Sequence, residues 1–246
     1  MRYLILSDLH ANLQALEAVL DDAQAVGYDA VLVLGDLVGY GADPQAVIDR
    51  TLALEPMAMI RGNHDKVCAG LESPMLFNDA ARVSAEWTAS ILDASHIQML
   101  RDLPKGPRLV TDAIEICHGT PFDEDHYVFD DSDASRAADA ASARICLFGH
   151  THVPSIFRIG ATVEAMLPVR GERCRVSIEA DQRYLVNCGA VGQPRDGDAR
   201  AAFGLLEPAA RAVTIVRTPY DVAGAQGRIL AAGLPSVLAQ RLALGR

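Results

Sequence analysis

Short apolar runs recur along the first 150 residues of this chain, and each gives way abruptly to a polar cluster. Residues 3–7, 31–34, 57–60, 114–117 and 145–148 are such runs. Runs of four or five residues bounded by glycine or acid predict buried strands. Between them the period changes. Leu13, Leu16, Val19 and Leu20 fall on one face of a helix that Asn12 can cap and Gly27 can stop. Asp43-Pro44 predicts a cap followed by proline at the first helical position, opening a helix through Leu54. Residues 78–92 predict a third helix, with Trp87 and Ile91 spaced i, i+4 for packing, and Ser95 can start a short fourth that ends before Pro104.

The second half reads richer in strands. Residues 108–110 and 113–117 predict a hairpin, as do 203–207 and 213–217, and 156–159, 175–179 and 184–187 are further strand-like runs. Ser132 or Asp133 can cap a short helix inside the acidic stretch 123–139, which reads as solvated surface close to the polar cluster at His118. Residues 222–244 predict two short helices broken at Gly233-Leu234-Pro235. No repeat or linker demands a boundary, so one domain over 1–246 is expected, of α/β class.

The polar clusters carry the chemistry. They are Asp8-Leu9-His10, Gly35-Asp36, Gly62-Asn63-His64-Asp65, His118-Gly119 and Gly149-His150-Thr151-His152. In α/β sheets, ligands bind beyond the carboxyl ends of strands, so five strands deliver carboxylate, imidazole and amide groups to one rim. Five of the seven histidines lie in these clusters. Imidazole and carboxylate without thiolate suit two divalent transition-metal ions, among them Mn, Fe, Zn, Ni or Co. Glycine beside four of the clusters lets backbone and metal approach.

Composition narrows the partners. With 246 residues, 50% hydrophobic and 22% charged, the chain can bury a sizeable core. No apolar stretch approaches the roughly 20 residues that span a bilayer. The first strand already holds the first polar cluster, so no leader is expected to be cut from it. Five scattered cysteines are expected to be reduced thiols, which points to the cytoplasm. A net charge of −10, with no basic run denser than 170–175, argues against long nucleic acid.

In order and spacing the five clusters resemble the D-x-H, G-D, G-N-H-[DE], H, G-H-x-H pattern of the calcineurin-like metallophosphoesterase superfamily. Residues 187–196 (N-C-G-A-V-G-Q-P-R-D) are similar to the N-x-G-S-V-G-Q-P-R-D segment of a bacterial phosphodiesterase-like branch, and 218–221 and the 232–246 ending match that branch too. The resemblance implies a four-layer α/β/β/α sandwich of two mixed sheets. It further implies that Asp36 bridges two metals, that Asp8, His10 and His152 complete one site, and that Asn63, His118 and His150 complete the other. It places His64 toward substrate as general acid, with Asp65 as its orienting partner. Arg61 reads equally as a phosphate contact or an exposed strand-end residue, and Asn12 as a helix cap first and a site residue second. Asn187 and Gly189 open a turn whose amides can meet phosphate, although turn geometry alone accounts for the glycine.

Two departures bear on substrate. Gly39 and Tyr40 stand where superfamily members acting on monoesters or dinucleoside polyphosphates carry arginine, and Cys188 and Ala190 replace a small residue and a serine. The expected function is hydrolysis of a phosphodiester in a small or short-chain substrate, by water that two dications activate, with Tyr40 either covering the second ester arm or packing. The alternatives are a phosphomonoesterase or dinucleoside-polyphosphate hydrolase and, outside enzymes, a protein-binding scaffold of the same fold. The scaffold would be expected to lose ligands, and none is missing. Metal identity, natural substrate and oligomeric state stay open.

Overall fold

Each of the apolar runs becomes a strand, and the helical periods become helices. The computed structural model describes residues 1–160, 162–165 and 171–246; Arg170, part of the basic run, lies outside them. In chain order the elements are β1 (Tyr3–Leu6), α1 (Leu13–Val26), β2 (Ala30–Val33), α2 (Pro44–Leu52), β3 (Ala58–Met59), α3 (Asn63–Cys68), a 3₁₀ turn (Pro74–Leu76), α4 (Asp79–Ile91) and α5 (Ala94–Asp102). There follow β4 (Arg108–Thr111), β5 (Ile114–Ile116), α6 (Asp131–Ala140), β6 (Ile145–Phe148), β7 (Ser155–Ile159), β8 (Val163–Ala165), β9 (Arg173–Ser177) and β10 (Arg183–Asn187). A long hairpin, β11 (Ala201–Glu207) and β12 (Ala212–Thr218), precedes α7 (Val222–Ala231) and α8 (Ser236–Leu244).

The strands form two six-stranded mixed sheets, ordered β3-β2-β1-β11-β12-β9 and β4-β5-β6-β10-β7-β8. Within the first, β1, β2 and β3 run parallel; within the second, β5, β6 and β10 do. Alternation sorts their side chains between layers. Tyr3, Ile5, Leu32 and Leu34 of the first sheet meet Ile114, Ile116, Ile145 and Leu147 of the second, whereas Leu4, Leu6, Val31 and Val33 pack under α1. On the far side Cys146, Phe148, Phe157 and Leu185 pack against Ala134, Ala137 and Ala138 of α6. The result is the four-layer α/β/β/α sandwich. Burial on both faces explains why the central strands read as unbroken apolar runs.

Several local expectations shift. Asp93, not Ser95, caps α5, its Oδ1 accepting from Ser95 N and His96 N at 2.9 Å each. Asp130 caps α6 instead of Ser132 or Asp133, because the Asp133 carboxylate is taken by His126 and Phe129 N. Asp43 precedes α2 as expected but makes no capping bond, since Arg228 Nε donates to its Oδ1 at 3.0 Å. Helix α2 stops at Leu52, two residues early, and β9 begins two residues before the expected run. Strand β9 is a sheet edge with alternating partial exposure, so burial did not mark its ends in the sequence. Trp87 is half-buried and packs against the cluster that joins α4, α7 and α8.

Candidate metal centre

The carboxyl ends of β1, β2, β5 and β6 open on one rim, and the turns after them carry unusual backbone. Asp8, His10, Asp36, His150 and His152 all adopt positive φ, between 46° and 67°. For residues with a Cβ such a conformation costs roughly 1–3 kcal/mol each and persists only where the surroundings enforce it. Here it turns five donor side chains inward. Gly62 serves the same end: a Cβ there would overlap Asp36 Oδ1.

The donors fall into two groups that share Asp36. Asp8, His10, Asp36 and His152 converge, as do Asp36, His118 and His150, and all are buried. His10 Nε2 and His118 Nε2 each lie 3.5 Å from Asp36 Oδ2, and His152 Nε2 lies 3.4 Å from Asp8 Oδ1. Asn63 Oδ1 joins the second group, 3.3 Å from His118 Nε2. Strand β3, the 63–68 helix and both sheets therefore bring together all seven residues expected as ligands.

Tautomers show what the clusters are built for. His10 Nδ1 donates to Val38 O at 3.0 Å, His118 Nδ1 to Leu34 O at 2.8 Å and His152 Nδ1 to Gln193 O at 2.6 Å. A carbonyl can only accept, so each of these rings turns Nε2 inward. His150 is reversed: its Nε2 donates to Asp125 O at 3.0 Å, leaving Nδ1 for the site. Burial pushes His10 and His152 well below the usual imidazole range and His150 down to about 3. Two neutral lone-pair nitrogens, His10 Nε2 and His152 Nε2, then face each other at 3.1 Å, an arrangement that calls for a cation. Burial also disfavours charge on His118, yet the Asp36 and Asp8 carboxylates lift it to about 10. Burial raises Asp8 to about 6; it would raise Asp36 too, but the imidazoles around that carboxylate hold it well below its usual range. The site thus demands positive charge, and its N,O donor set could hold divalent metal.

Beside the donors lies a cavity of about 130 Å³, lined by Asp36, Asn63, His150 and His152 together with His64, Tyr40, Leu76, Phe77, Tyr127 and Arg195. His64 is buried against Tyr40 and Phe77, with ring centroids 4.3 and 4.5 Å away, and its Nδ1 has no hydrogen-bond partner among the described residues. Burial lowers its pKa to about 4. Asp65 does not orient it, contrary to expectation. The Asp65 carboxylate accepts instead from Leu37 N, Val38 N and Gly62 N, pinning the loop after Asp36 to the start of α3. Burial and the charge of Asp36 raise Asp65 to about 7.

Most of the expected substrate contacts are structural. Arg61 is bound bidentately by Glu124, at 3.1 and 2.9 Å, and does not line the cavity. Asn12 caps α1 through Ala15 N and donates to Gly192 O. Asn187 donates to Gly149 O and Thr151 Oγ1 at 2.7 and 2.9 Å and accepts from Gly189 N at 2.8 Å, so both residues brace the Gly149–His152 turn. Of these expected contacts, Tyr40 alone lines the cavity. The residue missed is Arg195, whose Nη2 lies 3.2 Å from Tyr40 Oη. Its one signal was its place in the 187–196 segment, quoted for its likeness and not for its charge.

Known proteins are similar to this chain. A metallophosphoesterase from Sphaerobacter thermophilus is 40% identical and superposes with a TM-score of 0.88, both chains covered in full. Hypothetical protein PH1004 from Pyrococcus horikoshii, 20% identical, shares the fold with a TM-score of 0.79 over 100% of this chain and 98% of that one. Protein MJ0912 of Methanocaldococcus jannaschii is 31% identical over 98% of this chain and 97% of its own. The calcineurin-like phosphoesterase superfamily domain matches residues 1–210, and the chain belongs to that superfamily.

Proposed function

We propose that the whole chain is one domain that hydrolyses a phosphoester of a small or short-chain substrate, with a diester as the first reading. The observation that carries this is the pair of ligand groups sharing Asp36 at the floor of a cavity that His64 also faces. Asp8, His10 and His152 would hold one ion, Asn63, His118 and His150 the other, and Asp36 both. Bound there, two dications supply Lewis acidity toward phosphoryl oxygens and make water a competent nucleophile near neutral pH.

The protein's own groups do the remainder. The four backbone-anchored imidazoles keep their donor nitrogens aimed inward, so little reorganisation accompanies binding. His64, held neutral by burial, can donate an N–H hydrogen bond to the leaving oxygen from the cavity wall it shares with Tyr40 and Phe77. Leu76, Phe77 and Tyr127 offer an apolar wall for the second arm of a diester. A specific observation favours the monoester reading: a cation, Arg195, does stand beside Tyr40. A complete donor set and a histidine aimed at the cavity support an enzyme over a scaffold. Among the described residues no helix is long and apolar enough to cross a membrane.

Metal-reconstituted protein should hydrolyse p-nitrophenyl phosphate or bis(p-nitrophenyl) phosphate, and chelation should abolish turnover. Inactivity toward both esters with both metal groups loaded would overturn the reading.

A further inference from the structure

The cations near the rim are nearly all spent. Arg61 is clamped by Glu124; Lys66 pairs with Glu72, Glu124 and Asp125; Lys105 reaches Glu124 at 4.0 Å. Arg195 differs. Among the described residues no carboxylate comes within ion-pair distance of it. Its partners are neutral: Nη2 donates to Tyr40 Oη at 3.2 Å and to Gln193 Oε1 at 3.1 Å, and Nε is 3.4 Å from the same Gln193 oxygen. The guanidinium carbon stands 5.6 Å from the Tyr40 ring centroid. The Arg195 backbone N donates to His152 O at 3.2 Å, which fixes the base of the side chain to the donor turn. Tyr127, another neutral partner, also interacts with the guanidinium, and Arg195 lines the cavity together with His64, Asn63 and Asp36.

A partly buried, pre-oriented guanidinium without a counter-charge, aimed into a cavity, is arranged to meet an anion that arrives from outside. Its planar fork matches two oxygens of a phosphoryl group, a match that a lysine ammonium cannot reproduce. Tyr40 and Gln193 hold the fork in place before binding, which reduces the ordering it must undergo. The loop after Asp36 has only Gly39 and Tyr40 at this position; the fold returns a cation to Tyr40 from 155 residues downstream.

We propose that Arg195 is the substrate-binding residue that grips the non-bridging phosphoryl oxygens, with Tyr40 and Gln193 positioning its fork. This rests on the phosphoester reading above. The grip strengthens with phosphoryl charge, so a dianionic monoester depends on it more than a monoanionic diester does.

The test uses metal-loaded wild type, Arg195→Met, Arg195→Lys and Tyr40→Phe, with metal content and circular dichroism checked for each. Inorganic phosphate is the binding probe, by calorimetry and as a competitive inhibitor; the two nitrophenyl esters are the substrates. Arg195→Met should keep its metals, weaken phosphate about 10- to 100-fold, as loss of a charge-assisted hydrogen bond does, and depress kcat/KM for the monoester by a similar factor. The diester should fall by less, chiefly through KM. Arg195→Lys should recover part of the phosphate affinity, and Tyr40→Phe should lose only a few-fold. Unchanged phosphate affinity in Arg195→Met overturns the inference, and so does an equal loss on both esters. Should wild type turn over neither ester, the phosphoester reading fails, whereas phosphate calorimetry still decides whether Arg195 grips the anion.

Discussion

Lys66 ties two parts of the centre together, and its replacement should unbalance them. It is 6% exposed, on α3 two residues after His64, and burial opposes its charge; the carboxylates of Asp125, Glu72 and Glu124 overcome this and raise its pKa. The Asp125 side chain pairs with Lys66, and the Asp125 backbone oxygen accepts from His150 Nε2 at 3.0 Å. Lys66→Met would release that loop. Breaking a fully buried pair costs about 3–5 kcal/mol, but that figure does not apply whole here. Glu72 and Asp125 are 38% and 43% exposed and regain water, while the buried Glu124 keeps Arg61. Discounted for this screening, the global loss should be about 1–2 kcal/mol. The larger effect is local. Losing the support behind a metal-binding histidine typically weakens metal about 10- to 100-fold, and here only the group containing His118 and His150 should feel it. Denaturant unfolding of metal-stripped protein gives the first quantity, and stepwise metal titration gives the second. Equal weakening of both binding steps, or a drop in stability with both steps intact, would refute the strap between α3 and His150.

Other outcomes follow from the same geometry. His64→Ala should keep both metals yet depress turnover by about 10²–10⁴, whereas Asp36→Asn should lose at least one metal; equal metal loss in the two variants, by elemental analysis, would undo the division of roles. Asn187→Ala leaves Gly189 N buried without its partner, while Gly149 O keeps only Thr151 N, so it should destabilise by about 1–3 kcal/mol in denaturant melts and, through the His150 turn, weaken metal. Metal removal should lower the melting temperature, since an ion at 100 times its Kd contributes about 2.7 kcal/mol; an unchanged melting temperature after chelation would mean that the donors do not bind.

The sequence made the donors legible because strands and ligands share one pattern. An apolar run long enough to be buried on both faces ends at the rim, and the polar residues that follow have nowhere else to go. Helix α1 and its Asn12 cap were equally readable, as local bonds alone decide them. What stayed hidden depended on partners far away in the chain. Asp65 looked like a companion to its neighbour His64, but three backbone amides claim it first. Arg61 looked free until Glu124 was folded against it, and Asp43 lost its cap to Arg228, 185 residues on. The tautomers were unreadable for the same reason, because carbonyls of Val38, Leu34, Gln193 and Asp125 set them.

That distribution of partners also explains why the centre lies at a seam. Asp8, His10 and Asp36 follow strands of the first sheet, while His118, His150 and His152 follow strands of the second. Neither sheet alone assembles a complete ligand group: His152 completes the group built on Asp8 and His10, and Asp36 completes the one built on His118 and His150. The apolar layer between the sheets fixes their separation, and the Asp8 carboxylate locks the rim by accepting from His150 N at 3.1 and 3.2 Å. A shift of one sheet over the other would therefore open both groups together. Small changes in the shared core, far below the rim, should act on metal binding through this seam, whereas changes on the helical layers should meet it through Lys66 and the loop it holds and through Asp65, which pins the loop after Asp36.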